Sequence, residues 1–146
     1  MNKLDIQMRC QDRANELIDS YFGNIVNEAV VDKPEELDEK YTKELPLKIE
    51  EEFLSFLAGL KQELYPDDTR TIMELIDCPL KRDMILEDYE LDVDRAYEEA
   101  KKVTFWERVT KTNHADVSYF KGLIKQYTEE LLEHMTQDFL SLGESI

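Results

Sequence analysis

The sequence predicts an all-α, single-domain helical bundle over residues 1–146, with about three long helices and three to four short ones. Three observations predict it. Only four Gly and four Pro occur, too few turn-formers for an all-β chain. Apolar residues recur at three- and four-residue steps over long stretches, the period of helices that bury one face. No convincing strand, internal repeat or Ser/Gly linker interrupts the chain. With 42% hydrophobic and 10% aromatic residues, this length is enough to fill one core.

The first helix is expected from about Leu4 to Val30, because Leu17, Ile18, Tyr21, Phe22, Ile25, Val26 and Ala29 share a face. Gly23 weakens it slightly and permits a close approach. Asp32 then caps a short helix that begins near Pro34. Pro46 opens the next helix, which runs to Tyr65 with Ile49, Phe53, Phe56, Leu57, Leu60 and Leu64 on one face.

The "YPDDT" segment is a turn, with Asp67 or Asp68 expected to cap a helix carrying Ile72, Met73, Leu75 and Ile76. Pro79 punctuates again before a short helix with Leu80, Met84 and Ile85. Residues 88–99, "DYELDVDRAYEE", read as the joint to another short helix holding Val93, Ala96, Tyr97 and Ala100. Residues from about 66 to 104 are thus expected to form a short-helix insert. "FWERVTKTNHAD" is a loop by composition. The last long helix is expected from Val117 to Leu142, striped by Phe120, Leu123, Ile124, Tyr127, Leu131, Met135 and Phe139, with Gly143 as its stop.

Charge is the strongest bulk signal. Thirty-four Asp and Glu oppose 18 Lys and Arg, a formal charge of −16. That field repels nucleic acid and anionic membranes and attracts basic protein surfaces, although excess acid also serves plain solubility. The stretch "MNKLDIQMRC" lacks the apolar segment of a signal peptide, and no run is long enough to span a membrane. Cys10 and Cys78 have no metal-type spacing, so the expectation is a cytoplasmic protein with two reduced thiols.

The 88–99 stretch resembles a calcium loop at Asp88, Asp92, Asp94 and Glu99. It departs from one at Glu90, whose longer side chain crowds the third position. Val93 stands where the loop needs a glycine, and Arg95 where it needs an apolar residue. The same region has the outline of a helix–turn–helix. From Asp83 to Ala100, however, eight acids face Arg95 alone, a net of −7 that would repel DNA.

His114 and His134 lack the Glu-x-x-His of di-iron bundles, and the ligand set for zinc is thin. No nucleophile motif or phosphate loop accompanies His114 and Asp116. No cofactor is expected, and an enzyme, whether metal-dependent or acid–base, is the weakest of the readings.

Two features point toward binding. The acidic patch of Asp83, Glu87, Asp88, Glu90, Asp92, Asp94, Glu98 and Glu99 abuts the one basic stretch, Lys101–Lys125, with a net of +4. Beside it stands the lone Trp106, a candidate hot spot. The leading expectation is a non-enzymatic module that binds a basic protein surface. By class analogy, intracellular inhibitors of immunity or anti-defence type place carboxylates where a nucleic-acid-handling partner expects phosphates. The alternative is a regulatory or scaffolding domain that self-associates through an apolar helix face.

Overall fold

A helix with one apolar stripe must lay that stripe against a neighbour, and the chain solves this with a bundle. The computed structural model describes residues 2–23, 44–101 and 114–145. In chain order these hold α1 (Lys3–Phe22), α2 (Leu45–Leu64), α3 (Ile72–Leu75), α4 (Cys78–Lys101) and α5 (His114–Ser145), with no strand among the described residues. None of these helices is long and apolar enough to cross a membrane.

Local chemistry sets the helix ends. The Asn2 side chain accepts from the Asp5 N–H at 2.9 Å and starts α1. At its other end the Gly23 N–H donates to the Asp19 carbonyl at 3.0 Å. A Cβ at Gly23 would lie 2.5 Å from that oxygen, so the close approach there is to the helix's own last turn. Pro46 occupies the first turn of α2, where its missing N–H costs nothing. Lys61 is buried near the end of α2 and donates its ammonium to the Asp68 carbonyl at 2.7 Å, pinning the following turn.

Long-range pairs give the directions. Arg9 meets Glu63 at 3.1 Å and Tyr21 hydrogen-bonds Glu52, so α1 and α2 run antiparallel. Lys81 meets Asp138, Tyr89 meets Glu130 and Tyr97 packs on Phe120, so α4 runs antiparallel to α5 along nearly its whole length. The Tyr65 ring packs, tilted, 6.4 Å from Phe139 at the far end of α2. At the near end Glu50 and Tyr127 both lie beside Arg82, which sets α2 parallel to α5.

Helix α5 touches every other described helix and carries the largest share of the core, with Phe120, Ile124, Leu131, Leu132, Met135 and Phe139 almost fully buried. Thr128 and Thr136 are buried on it without cost, because each hydroxyl donates to the carbonyl one turn back, at 2.8 and 2.9 Å.

The all-α bundle stands, while several local expectations are corrected. Residues 88–99 are no joint between helices: they lie inside the continuous 24-residue α4. No Gly or Pro interrupts "LDVD", and an unbroken helix keeps Ile85, Tyr89, Val93 and Ala96 on one buried seam. The described part of that interval, residues 66–101, accordingly holds one single-turn helix and one long helix in place of a set of short ones. Thr71, rather than Asp67 or Asp68, caps α3, in a reciprocal box with Glu74. Asp77 caps α4 by accepting from the Leu80 N–H at 3.1 Å, with Pro79 in the first turn.

The last helix begins at His114, so the final residues of the expected loop are already helical. Gly143 does not end it. It lies within α5, where a Cβ would stand 2.6 Å from the Tyr65 hydroxyl oxygen. The continuation of the first helix to Val30, the short helix after Asp32 and the segment bearing Trp106 lie outside the described residues.

Leu131 is fully buried on α5 and Leu91 is 77% exposed on α4. Leu131→Ala should therefore cost about 2–5 kcal/mol, and Leu91→Ala no more than about 0.5 kcal/mol, both read from urea denaturation. Equal losses at the two sites would contradict the placement of the core.

Candidate functional site

A continuous α4 changes what the acidic patch is. At about 100° per residue, Asp83, Glu87, Glu90, Asp94 and Glu98 follow steps of four and three along one flank of the buried seam. Asp88, Asp92 and Glu99 fall on the opposite flank, in company with Lys81 and Arg95. All eight carboxylates are exposed, so the structure does bring them to one element, but as two rows and not as a converging cluster. A helix holds successive side chains apart, whereas a calcium loop wraps them around a point. Among the described residues no group of three or more His, Cys, Asp or Glu converges as metal ligands would.

The two flanks have different neighbours. Asp83 borders a cleft of about 300 Å³ with Pro46, Leu47, Pro79, Arg82, Leu86 and Tyr127, where the first turns of α2 and α4 meet. Asp88 lies on the side where α5 adds carboxylates of its own. There Tyr89 donates to Glu130 at 2.6 Å. Burial, that hydrogen bond and the charges of Glu130, Asp88 and Glu129 push the Tyr89 phenol up to about 12. Glu130 and Glu133 continue into a groove shared with Lys81, His134, Gln137 and Asp138. In sequence these α5 acids sit among the ordinary polar positions of an apolar-striped helix, and Glu130 with His134 has the i,i+4 spacing of a plain surface pair.

Compensating cations are mostly engaged elsewhere. Lys81 pairs with Asp138 at 3.2 Å, Arg82 with Glu50 at 3.2 Å, and Lys125 with Glu129 at 4.0 Å. Lys121, part of the basic stretch, is buried. Among the described residues, Asp83, Glu87, Asp88, Glu90, Asp92 and Asp94 form no salt bridge. The basic residues Lys102, Arg108 and Lys111, and Trp106 with them, lie outside the described residues.

A second constellation is buried. Glu50 sits on the apolar stripe of α2, three residues before Phe53 and seven before Leu57, and that spacing was the available signal for it. Burial raises its carboxyl pKa, and the nearby Arg82 charge and a hydrogen bond from the Cys78 thiol partly offset the rise. Arg82 Nε stands 3.2 Å from Glu50 Oε2 without hydrogen-bond alignment, so the contact is Coulombic. Burial, and then the Glu50 charge, push the Cys78 thiol up to about 11. Burial alone raises Cys10 to about 11. Both are free, neutral thiols without the character of a nucleophile. The group joins the start of α2 to the start of α4.

Two outcomes are expected from this geometry. Arg82→Ala strands a buried carboxylate, at about 1–3 kcal/mol, below the value for a fully buried pair because Arg82 is one-third exposed. A carboxyl whose folded pKa is raised favours folding in acid and loses that contribution as pH climbs through the folded value. The Arg82→Ala penalty should therefore be large at neutral pH and small below about 4. Urea melts at both pH values check this, and a penalty independent of pH would contradict it. Both thiols should also resist Ellman's reagent in the native protein and react promptly in urea. Fast native labelling of either would contradict its burial.

Comparison of the chain with protein-family models, with curated proteins and with solved structures finds no match, so its own surface carries the functional argument.

Proposed function

We propose that this protein is a non-enzymatic binding module that captures a basic protein surface through the acidic α4, as an inhibitor of a nucleic-acid-handling partner. The observation that supports this reading is the run of six carboxylates from Asp83 to Asp94, exposed and without salt bridges among the described residues. They stand on a helix held to α5 along most of its length. Because their backbone is already ordered, a partner meets the charges without the entropy cost of ordering them.

Charge density favours the nucleic-acid-like form of this reading. With a rise of 1.5 Å per residue, the net −7 of residues 83–100 amounts to roughly one charge per 3–4 Å, close to the 3.4 Å per phosphate of one DNA strand. A surface evolved to track a phosphate backbone would find a similar field along α4.

Self-association is the second reading, favoured by the exposed Leu80, Met84 and Leu91 on the outer side of α4. Two such faces would, however, bring like-charged rows together, which opposes pairing most at low salt. Light scattering separates the two: a tight, salt-insensitive homodimer would favour self-association.

The binding reading is tested by pull-down with the wild type and with Asp83→Lys/Glu87→Lys/Glu90→Lys/Asp94→Lys, whose helix content is checked by circular dichroism. Basic partners should elute progressively as salt rises and should be lost from the reversed variant. Partners held unchanged at high salt, or retained by the variant, would overturn the proposal, as would finding none.

A further inference from the structure

The cleft beside Asp83 is walled mainly by apolar residues. Pro46 and Leu47 from α2, and Pro79 and Leu86 from α4, form its walls, and Tyr127 of α5 contributes beneath them. Leu47 is 41% exposed and Leu86 37%, so both leave apolar surface in water at the cleft. At about 300 Å³ it lies at the lower end of the range of ligand pockets. The two prolines stand in the first turns of their helices, which stiffens the walls before anything binds.

Charge around the cleft is one-sided. Asp83 lines it, and Glu87, Glu90 and Asp94 continue the row away from it along the same flank of α4. Arg82, the one cation among the described residues that line the cleft, already faces Glu50. An apolar socket next to a carboxylate row that forms no salt bridge among the described residues suits a large apolar side chain followed at helical spacing by cations. A second copy of this acidic chain would place like charges together.

We infer that this cleft is the anchor point of the partner, taking a large apolar side chain from a basic amphipathic helix whose Lys and Arg residues lie along Asp83, Glu87, Glu90 and Asp94. The inference rests on the binding role proposed for α4 and adds to it the class of segment recognised. Apolar burial supplies the anchoring, and the carboxylate row supplies orientation and on-rate.

The test measures anisotropy of two labelled synthetic peptides of equal charge, an amphipathic Lys/Leu helix and a Lys/Ser peptide. The wild type should bind the Lys/Leu peptide roughly ten- to a hundredfold more tightly than the Lys/Ser peptide, as burial of a large apolar side chain implies. Leu47→Ser/Leu86→Ser, both at exposed positions, should erase that preference and leave Lys/Ser binding intact. Asp83→Asn/Glu87→Gln/Glu90→Gln should weaken both peptides. Equal affinity for the two peptides, or a preference that survives Leu47→Ser/Leu86→Ser, would overturn the anchor while leaving the acidic-face reading in place. Binding of neither peptide would overturn both. A homodimer dissolved by Leu47→Ser/Leu86→Ser would assign the cleft to a second copy and overturn the inference as well.

Discussion

The rest of the structure depends on the need to bury α5. Its buried residues, from Phe120 through Leu142, wrap about 260° of the helix circumference when laid out at 100° per residue. One partner helix cannot cover so wide an apolar surface, because a packed helix contacts a stripe. Helix α1 covers one side, α2 another and α4 a third, and each is fixed in direction by its contacts with α5 or with its neighbour. Thr128 and Thr136 fit into this buried surface only because a helix carbonyl lies within reach of each hydroxyl.

That constraint also explains the character of α4. It packs on α5 through a narrow seam of Ile85, Tyr89, Val93 and Ala96, and most of its remaining circumference faces water. An edge helix of this kind tolerates solvated carboxylates at modest cost, about 0.2–0.5 kcal/mol for each like-charged i,i+4 pair such as Asp83 and Glu87. The same arrangement that makes the acids cheap also makes them available, in two ordered rows on a supported backbone. Their binding role as proposed needs no movement of the fold.

Several contacts converge on the start of α4. Asp77 caps it, Pro79 stiffens it, Arg82 reaches Glu50 and Lys81 reaches Asp138. Burying Glu50 raises its carboxyl pKa, and one guanidinium and one thiol hydrogen bond offset part of that cost. This cross-link ties α2 to α4, which otherwise meet only sparingly, and so fixes the two walls of the apolar cleft relative to each other.

Helix existence, the stripes of α1, α2 and α5, and the concentration of acid between Asp83 and Glu99 follow from the sequence by itself. Period and composition are local properties, and they survive whatever the chain does elsewhere. The seam of α4 was only partly legible. Its apolar residues are sparse enough that Asp-rich "LDVD" reads as a joint, and packing along α5 is what keeps it helical. The burial of Glu50 left a trace in its position on the α2 stripe, whereas its partnership with Arg82 and Cys78 left none. Only tertiary structure decided that Gly143 accommodates Tyr65 and that Leu47 and Leu86 meet at one cleft. Such contacts join residues far apart in the chain, and no periodicity within one helix encodes which neighbour will face it.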